Sequence, residues 1–264
     1  MTRELSADRR LEFQMATLSE IGDRQTNQDA HASMRKEGLA CFVVSDGAGG
    51  HTGGEIASNL VVTAVIDSFV QEQSFGVRAL QFYVNQAINN VAHGKSHDRR
   101  LKDMSATVAA LLIDNDNRSA LWAHLGDTRV YVFRDKKIHR VTRDHSLVQQ
   151  FVDAGYCAPD ALRTHPQRSV LYAAVGTDGD TIPEVTQEAI QLQEGDAFLL
   201  CTDGFWERLN EVDMEQCLES ATSADDWLRR MRQIVENNGN KSPKLRDNYT
   251  AQALWFIDGE LETK

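Results

Sequence analysis

Thr107-Val-Ala-Ala-Leu-Leu-Ile113, Ala120-Leu-Trp-Ala-His-Leu125 and Val130-Tyr-Val-Phe133 are three short runs rich in branched and aromatic residues, the composition of strands. Asp114-Asn-Asp-Asn117 and Asp135-Lys-Lys137 are turn-like breaks beside them. Consecutive strands joined by short turns predict antiparallel hairpins. A doubly wound parallel sheet would need a helix in each gap, and the gaps are too short.

Upstream, residues 38–45 read as a buried strand that ends at Asp46. The turn Gly47-Ala-Gly-Gly50 and the pair Gly53-Gly54 lead into a long helical pattern, with Ile56, Leu60, Ala64, Ile66 and Val70 as its apolar stripe. After Gly76 a second helix is predicted over 77–93, with Leu80, Val84, Ala87 and Val91 inward. Downstream, the pattern loosens over about 145–175, with one short helix around Leu147, Phe151 and Val152 and another beginning at Ala158-Pro-Asp-Ala161. Strands resume near 189–192 and at 197–201, helices follow at about 212–218 and 226–236, residues 237–246 read as a polar loop, and 251–257 as a closing strand. This order predicts an α+β fold of four layers, α-β-β-α, with two central antiparallel sheets and helices outside both faces. One domain over residues 1–264 is expected, with an excursion at about 145–175.

Composition narrows the function. A formal net charge of -11 gives no general attraction to nucleic acid or anionic membrane. Cys41, Cys157, Cys201 and Cys217 lack metal-ligand spacing, and Cys41 and Cys201 lie in apolar runs that suit reduced, buried thiols. The first ten residues are polar and lack an export signal, and the apolar stretches read as too short to span a bilayer. A cytoplasmic monomer is the expectation.

Four acidic signatures sit at the edges of apolar runs: Arg24-Gln-Thr-Asn-Gln-Asp29, Asp46-Gly-Ala-Gly-Gly-His51, Thr202-Asp-Gly204 and Arg246-Asp-Asn248. Carboxylates gathered at one place raise each other's pKa unless cations lie between them. The pattern therefore predicts a polynuclear centre of oxygen ligands, the setting for metal-activated water. Hard carboxylates suit Mg or Mn over softer metals. The glycines at 47–54 are not followed by Gly-Lys-Ser/Thr, which argues against a nucleotide-binding loop.

Together with Ser105-Ala-Thr107 and Gly126-Asp-Thr-Arg129, this ordered set resembles the PP2C family of metal-dependent serine/threonine protein phosphatases in its compact bacterial form, across residues 18–257. The resemblance implies two divalent cations, Mn or Mg, bridged by Asp46, with the Gly47 carbonyl on one and Asp203 and Asp247 on the other. It implies that Asp29 holds a water on the metals, that Arg24 grips the substrate phosphate, and that Asp127 with Asp203 binds a third, weaker cation. The alternative for Asp127 is a turn residue fixing its loop with Arg129. Ala48 stands where animal relatives carry a proton-donating histidine, and His51 is the nearest titratable substitute. Residues 145–175 match the mobile flap of bacterial relatives, but Tyr172-Ala-Ala-Val-Gly176 lacks the basic residue common there. The implied partners are phosphorylated proteins, the targets of a serine/threonine kinase. The alternatives are a phosphopeptide-binding pseudophosphatase, or a phosphatase dedicated to a secretion-system or anti-sigma pathway.

Overall fold

Cys41, Phe42, Val43 and Val44 are all fully buried, so their strand is covered on both faces. Side chains alternate along a strand, and the alternation separates two cores. Phe42 and Val44 pack with Phe198, Leu200, Leu254 and Phe256, whereas Cys41 and Val43 pack with Ala57, Val61, Val65 and Val84. The computed structural model describes residues 11–48, 50–177 and 182–258, without the side chains of 50–52 and 258.

The chain begins with β1 (Leu11–Glu20), β2 (Ala30–Lys36), β3 (Leu39–Ser45) and the two-residue β4 (Gly47–Ala48), then the helices α1 (Gly50–Gln71) and α2 (Val77–His97). The strands β5 (Ser105–Ala106), β6 (Val108–Asp114), β7 (Ser119–Leu125), β8 (Arg129–Arg134) and β9 (Lys137–Val141) follow. Short helices α3 (Leu147–Asp153) and α4 (Ala161–Thr164) lead to β10 (Glu184–Val185), β11 (Ile190–Gln191) and β12 (Ala197–Cys201). The chain closes with α5 (Asp203–Trp206), α6 (Glu211–Ser220), α7 (Ala224–Lys241) and β13 (Tyr249–Asp258).

One sheet runs β1-β13-β12-β8-β9 and the other β10-β7-β6-β3-β2, with β11 also on β7. The strand pairs are antiparallel throughout both sheets. Their facing sides share the core that holds Phe42, Trp122, Phe198 and Phe256. α1 and α2 cover the outer face of the second sheet. Trp206, Met214, Trp227 and Met231 from α5, α6 and α7 cover the outer face of the first, against Tyr131, Phe133 and Leu199. The fold is the expected α-β-β-α sandwich.

Several local expectations are corrected. β1, β2 and β9 are absent from the sequence reading. Each lies at the end of its sheet and is half-exposed, so its apolar pattern is diluted by polar residues. In α1 the buried face is Ala57, Val61, Val62, Ala64, Val65 and Phe69, while Ile56 is exposed. That helix packs on both α2 and the sheet, so a single narrow stripe does not describe it. It starts at Gly50, which places Gly53 and Gly54 inside the helix and not at its junction. Its segment Gly53–Gln71 is long and apolar enough by length and composition to cross a membrane, against the expectation, but more than half of it is buried within the fold. α7 continues to Lys241, through residues read as loop, with Gly239 buried on its inner side and polar residues around it facing outward.

Candidate active site

Antiparallel pairing brings the ends of β1, β3, β7 and β12 and the starts of β2, β8 and β13 to one edge of the sandwich. A cleft of about 640 Å³ opens there, and Arg24, Asp46, Gly47, Asp127, Asp203 and Asp247 line it. Residues spread over the whole chain therefore meet because each stands at a strand terminus or in the loop just beyond one.

Asp46 leaves β3 with its N–H donated to Thr107 Oγ1 at 2.9 Å, while its carbonyl accepts from the Thr107 N–H at 2.8 Å. Asp29 lies just behind the cleft, buried, where Thr202 Oγ1 donates to its Oδ2 at 2.9 Å. Its other oxygen, Oδ1, is buried with no hydrogen-bond partner. Burial pushes the Asp29 carboxyl up to about 7, with the charge of Asp247 adding to the shift and the Thr250 and Thr202 hydroxyls opposing it. Burial and the surrounding charges of Asp29, Asp203, Asp127 and Asp247 push Asp46 well above the carboxylate range. Asp203 is raised in the same way, by burial and then by Asp127, Glu207, Asp247 and Asp29. Asp127 is pushed up to about 7, by burial first and then by Asp144. Mutually repelling carboxyl groups around an orphaned buried oxygen form a donor set that hard divalent cations satisfy.

Arg24 reaches the cleft from the loop after β1, and its Nη2 donates to Asp247 Oδ2 at 2.6 Å. His51 falls in the first turns of α1, and its side chain lies outside the described residues. The Arg129 fork goes to Asp144 and not to Asp127, with both N–H···O distances at 2.7 Å and both side chains buried. Asp127 is held instead through its carbonyl, which accepts from Trp206 Nε1 at 2.9 Å.

Some supports of the site go beyond the sequence reading, which has Asn248 only as the neighbour of Asp247 in its signature. Asn248 Oδ1 accepts from the Gln28 N–H at 2.9 Å, and its Nδ2 donates to the Ile21 and Thr26 carbonyls at 2.8 and 3.0 Å. It thereby fixes the loop that carries Arg24. The available signal was its place beside Asp247 at a strand entry, where a short amide side chain satisfies loop backbone. Asp144 lies in Thr142-Arg-Asp-His-Ser146, where the sequence points to His145 as an anchor of the excursion but nothing announces the pairing of Asp144 with Arg129. In a separate group, His124, His145 and Glu184 each bring a ligand atom within 4.8 Å of the others, a spacing that could hold a metal ion.

Comparison with known proteins identifies the class. Residues 18–248 match the family described as Protein phosphatase 2C, and the chain belongs to that family. This sets its general activity as that of a metal-dependent serine/threonine phosphatase. Protein phosphatase PhpP of Streptococcus pneumoniae is 26% identical over 233 residues, covering 86% of this chain and 93% of that protein. The catalytic domain of the serine/threonine protein phosphatase PstP, solved in complex with two manganese ions, superposes with a TM-score of 0.79 at 25% identity, covering 94% of this chain and 100% of that one. PppA, described as a key regulatory component of T6SS in Pseudomonas aeruginosa, superposes with a TM-score of 0.75 at 25% identity, covering 93% and 98%.

Proposed function

We propose that the protein hydrolyses phosphoserine and phosphothreonine on cytoplasmic proteins, acting as a monomer and reversing a bacterial serine/threonine kinase. The observation that carries this reading is the convergence of Asp46, Asp127, Asp203 and Asp247 on one cleft, with the Asp29 carboxyl beneath them. Asp46, the Gly47 carbonyl, Asp203 and Asp247 would hold two Mn or Mg ions, and Asp127 with Asp203 a third. Cations bound there would supply an activated water and charge for an in-line attack on phosphorus.

The chain's own groups do the rest. Arg24 offers a planar two-donor fork to the phosphate oxygens, from a position already 2.6 Å from Asp247. Asp29, anchored by Thr202 on one oxygen, keeps the other free to accept a proton or orient a water. Thr107 holds the main chain of Asp46 through two hydrogen bonds, so the carboxylate keeps its direction at the strand end. The His124–His145–Glu184 group is the weaker candidate for the centre. His124 Nε2 must donate its proton to the Arg143 carbonyl at 2.8 Å, and His145 Nδ1 must accept the Gly126 N–H at 3.1 Å. A neutral His145 then carries its proton on Nε2, so the nitrogens facing Glu184 are protonated and poor ligands.

The test uses protein stripped of metal and offered a phosphothreonine peptide, before and after Mn is restored. Phosphate release that appears only with Mn supports the reading. A folded protein that releases none with Mn overturns it.

A further inference from the structure

The turn that carries Asp127 is bonded to the root of the 145–175 excursion by one side chain. Gly126 and His145 form a reciprocal pair: the His145 N–H donates to the Gly126 carbonyl at 2.9 Å, and the Gly126 N–H donates to His145 Nδ1 at 3.1 Å. The His145 carbonyl accepts from the Tyr172 N–H at 2.9 Å, and the Leu147 N–H donates to the Val170 carbonyl at 2.8 Å. These bonds zip the outgoing and returning legs of the excursion together at Ser146 and Leu171. Leu171 and Ala174, on the returning leg, line the same cleft as Asp127.

The imidazole is held in one orientation from several sides. It stacks on His124 with ring centroids 4.7 Å apart at 17°, and the His124 ring is itself fixed by its bond to the Arg143 carbonyl. The Nε2 edge of His145 faces Glu184 of β10 at 3.6 Å. On the other flank of the turn, Asp144 grips Arg129, whose guanidinium lies 3.4 Å over the Trp206 ring. Trp206 in turn holds the Asp127 carbonyl. The peptide of Gly126 and that of Asp127 are thus pinned by neighbouring residues of one loop, His145 and Asp144.

We propose that His145 is a positioning residue for the active centre: by accepting the Gly126 N–H at Nδ1 while its main chain roots the excursion, it sets the Asp127 carboxylate and the excursion wall of the cleft as one unit. His145 touches neither substrate nor cation in this role. It rests on the reading of Asp127 as a cation-binding group given above. The same bonds explain why a histidine stands there: the side chain must be an acceptor at Nδ1, short enough to reach the backbone of a turn, and flat enough to stack on His124.

The experiment compares the full chain with His145→Leu, which removes the acceptor, and His145→Asn, whose Oδ1 occupies the place of Nδ1. Mn is titrated against hydrolysis of both p-nitrophenyl phosphate and a phosphothreonine peptide, and tight Mn sites are counted by calorimetry. His145→Leu should need more Mn for half-maximal activity, or lose kcat, by about 10- to 100-fold, the usual cost of removing a group that orients a metal ligand. Its tight Mn sites should remain, and His145→Asn should recover most of the loss. A Mn-activity curve for His145→Leu that overlays wild type overturns the proposal. Equal losses in the two variants, or a lower melting temperature with an unchanged Mn requirement, overturn it as well. If His145→Leu does not fold, His145→Gln replaces it, because its oxygen falls near Nε2 and leaves the Gly126 N–H unmet. A wild-type protein inactive with Mn would remove the functional reading and this proposal together, whereas an active wild type with an indifferent His145→Leu removes this proposal alone.

Discussion

Asp46 and Asp127 stand on the same cleft, and they are held there by opposite means. The Asp46 corner is built mainly from close-packed backbone, with the Thr107 hydroxyl on the Asp46 N–H. A Cβ on Gly47 would come within 2.1 Å of the Gly54 carbonyl oxygen, and one on Gly54 within 2.7 Å of the Gly47 oxygen. The Asp127 corner is built from side chains: Trp206 on its carbonyl, Arg129 on Trp206, Asp144 on Arg129, and His145 on the neighbouring Gly126. Close backbone approach leaves little room for substitution at the first corner, where Thr107 supplies a side-chain link. Each link of the second is a side chain that can be changed separately.

Breaking the side-chain corner should have the largest effect on stability. Asp144→Ala leaves the Arg129 charge buried without its carboxylate, and should cost about 3–5 kcal/mol in urea unfolding. A loss below about 1 kcal/mol, the scale of an exposed ion pair, would show that Tyr131, the Trp206 ring and Glu211, 3.8 Å away, meet that charge without Asp144.

Asp46→Asn comes next, and it removes charge from the backbone corner without changing its shape. Turnover should fall by more than about 100-fold while circular dichroism stays native. Near-normal kinetics would rule out a bridging role for the carboxylate.

Gly47→Ala attacks the shape and spares the charge. The methyl group forces β4 away from α1, and metal-free protein should lose about 1–3 kcal/mol of stability in the same urea assay. An unchanged midpoint would mean that the corner is more yielding than its contacts indicate, and the contrast with Asp127 would dissolve.

The smallest effect is expected from Arg24→Lys, a residue belonging to neither corner. Lysine keeps the charge and loses the fork. KM for a phosphopeptide should rise about ten-fold, the scale of one charge-assisted hydrogen bond, with Mn binding by calorimetry unchanged. A large loss of Mn affinity at constant KM would reassign Arg24 to holding Asp247.

What the sequence made legible follows from where each element lies. β3, β6, β7, β8 and β12 are central strands buried on both faces, and their unbroken apolar runs announce them. β1 and β2 are sheet edges with mixed exposure, and Gln14, Thr17 or Arg35 within them read as loop. Asp46, Asp203 and Asp247 were legible because each stands within two residues of a strand and is followed by Gly or Asn. Their supports were not. Asp144 with Arg129 and His145 with Gly126 are pairings between loops, and no periodicity records which loops meet. The end of α7 was misplaced for a related reason. Gly239 is buried there because Arg246 folds back over it, a contact made only in three dimensions.

The pairing of β1 with β13 has a consequence for synthesis. The register joins Leu11 to Asp258 and Glu20 to Tyr249, so the first described strand completes its sheet only with the last. At ribosomal speed, on the order of ten seconds or more separate their emergence. During that interval β12 lacks one of its two neighbours and β1 lacks its only one, leaving strand edges open to other chains. The apolar helix α1 follows the strands β2 and β3 it packs on, but it is made ahead of α2, its other partner. The nascent chain is therefore most exposed to misassociation in its middle age, and a chaperone that shields edges and apolar helices would act on it before residue 249 appears.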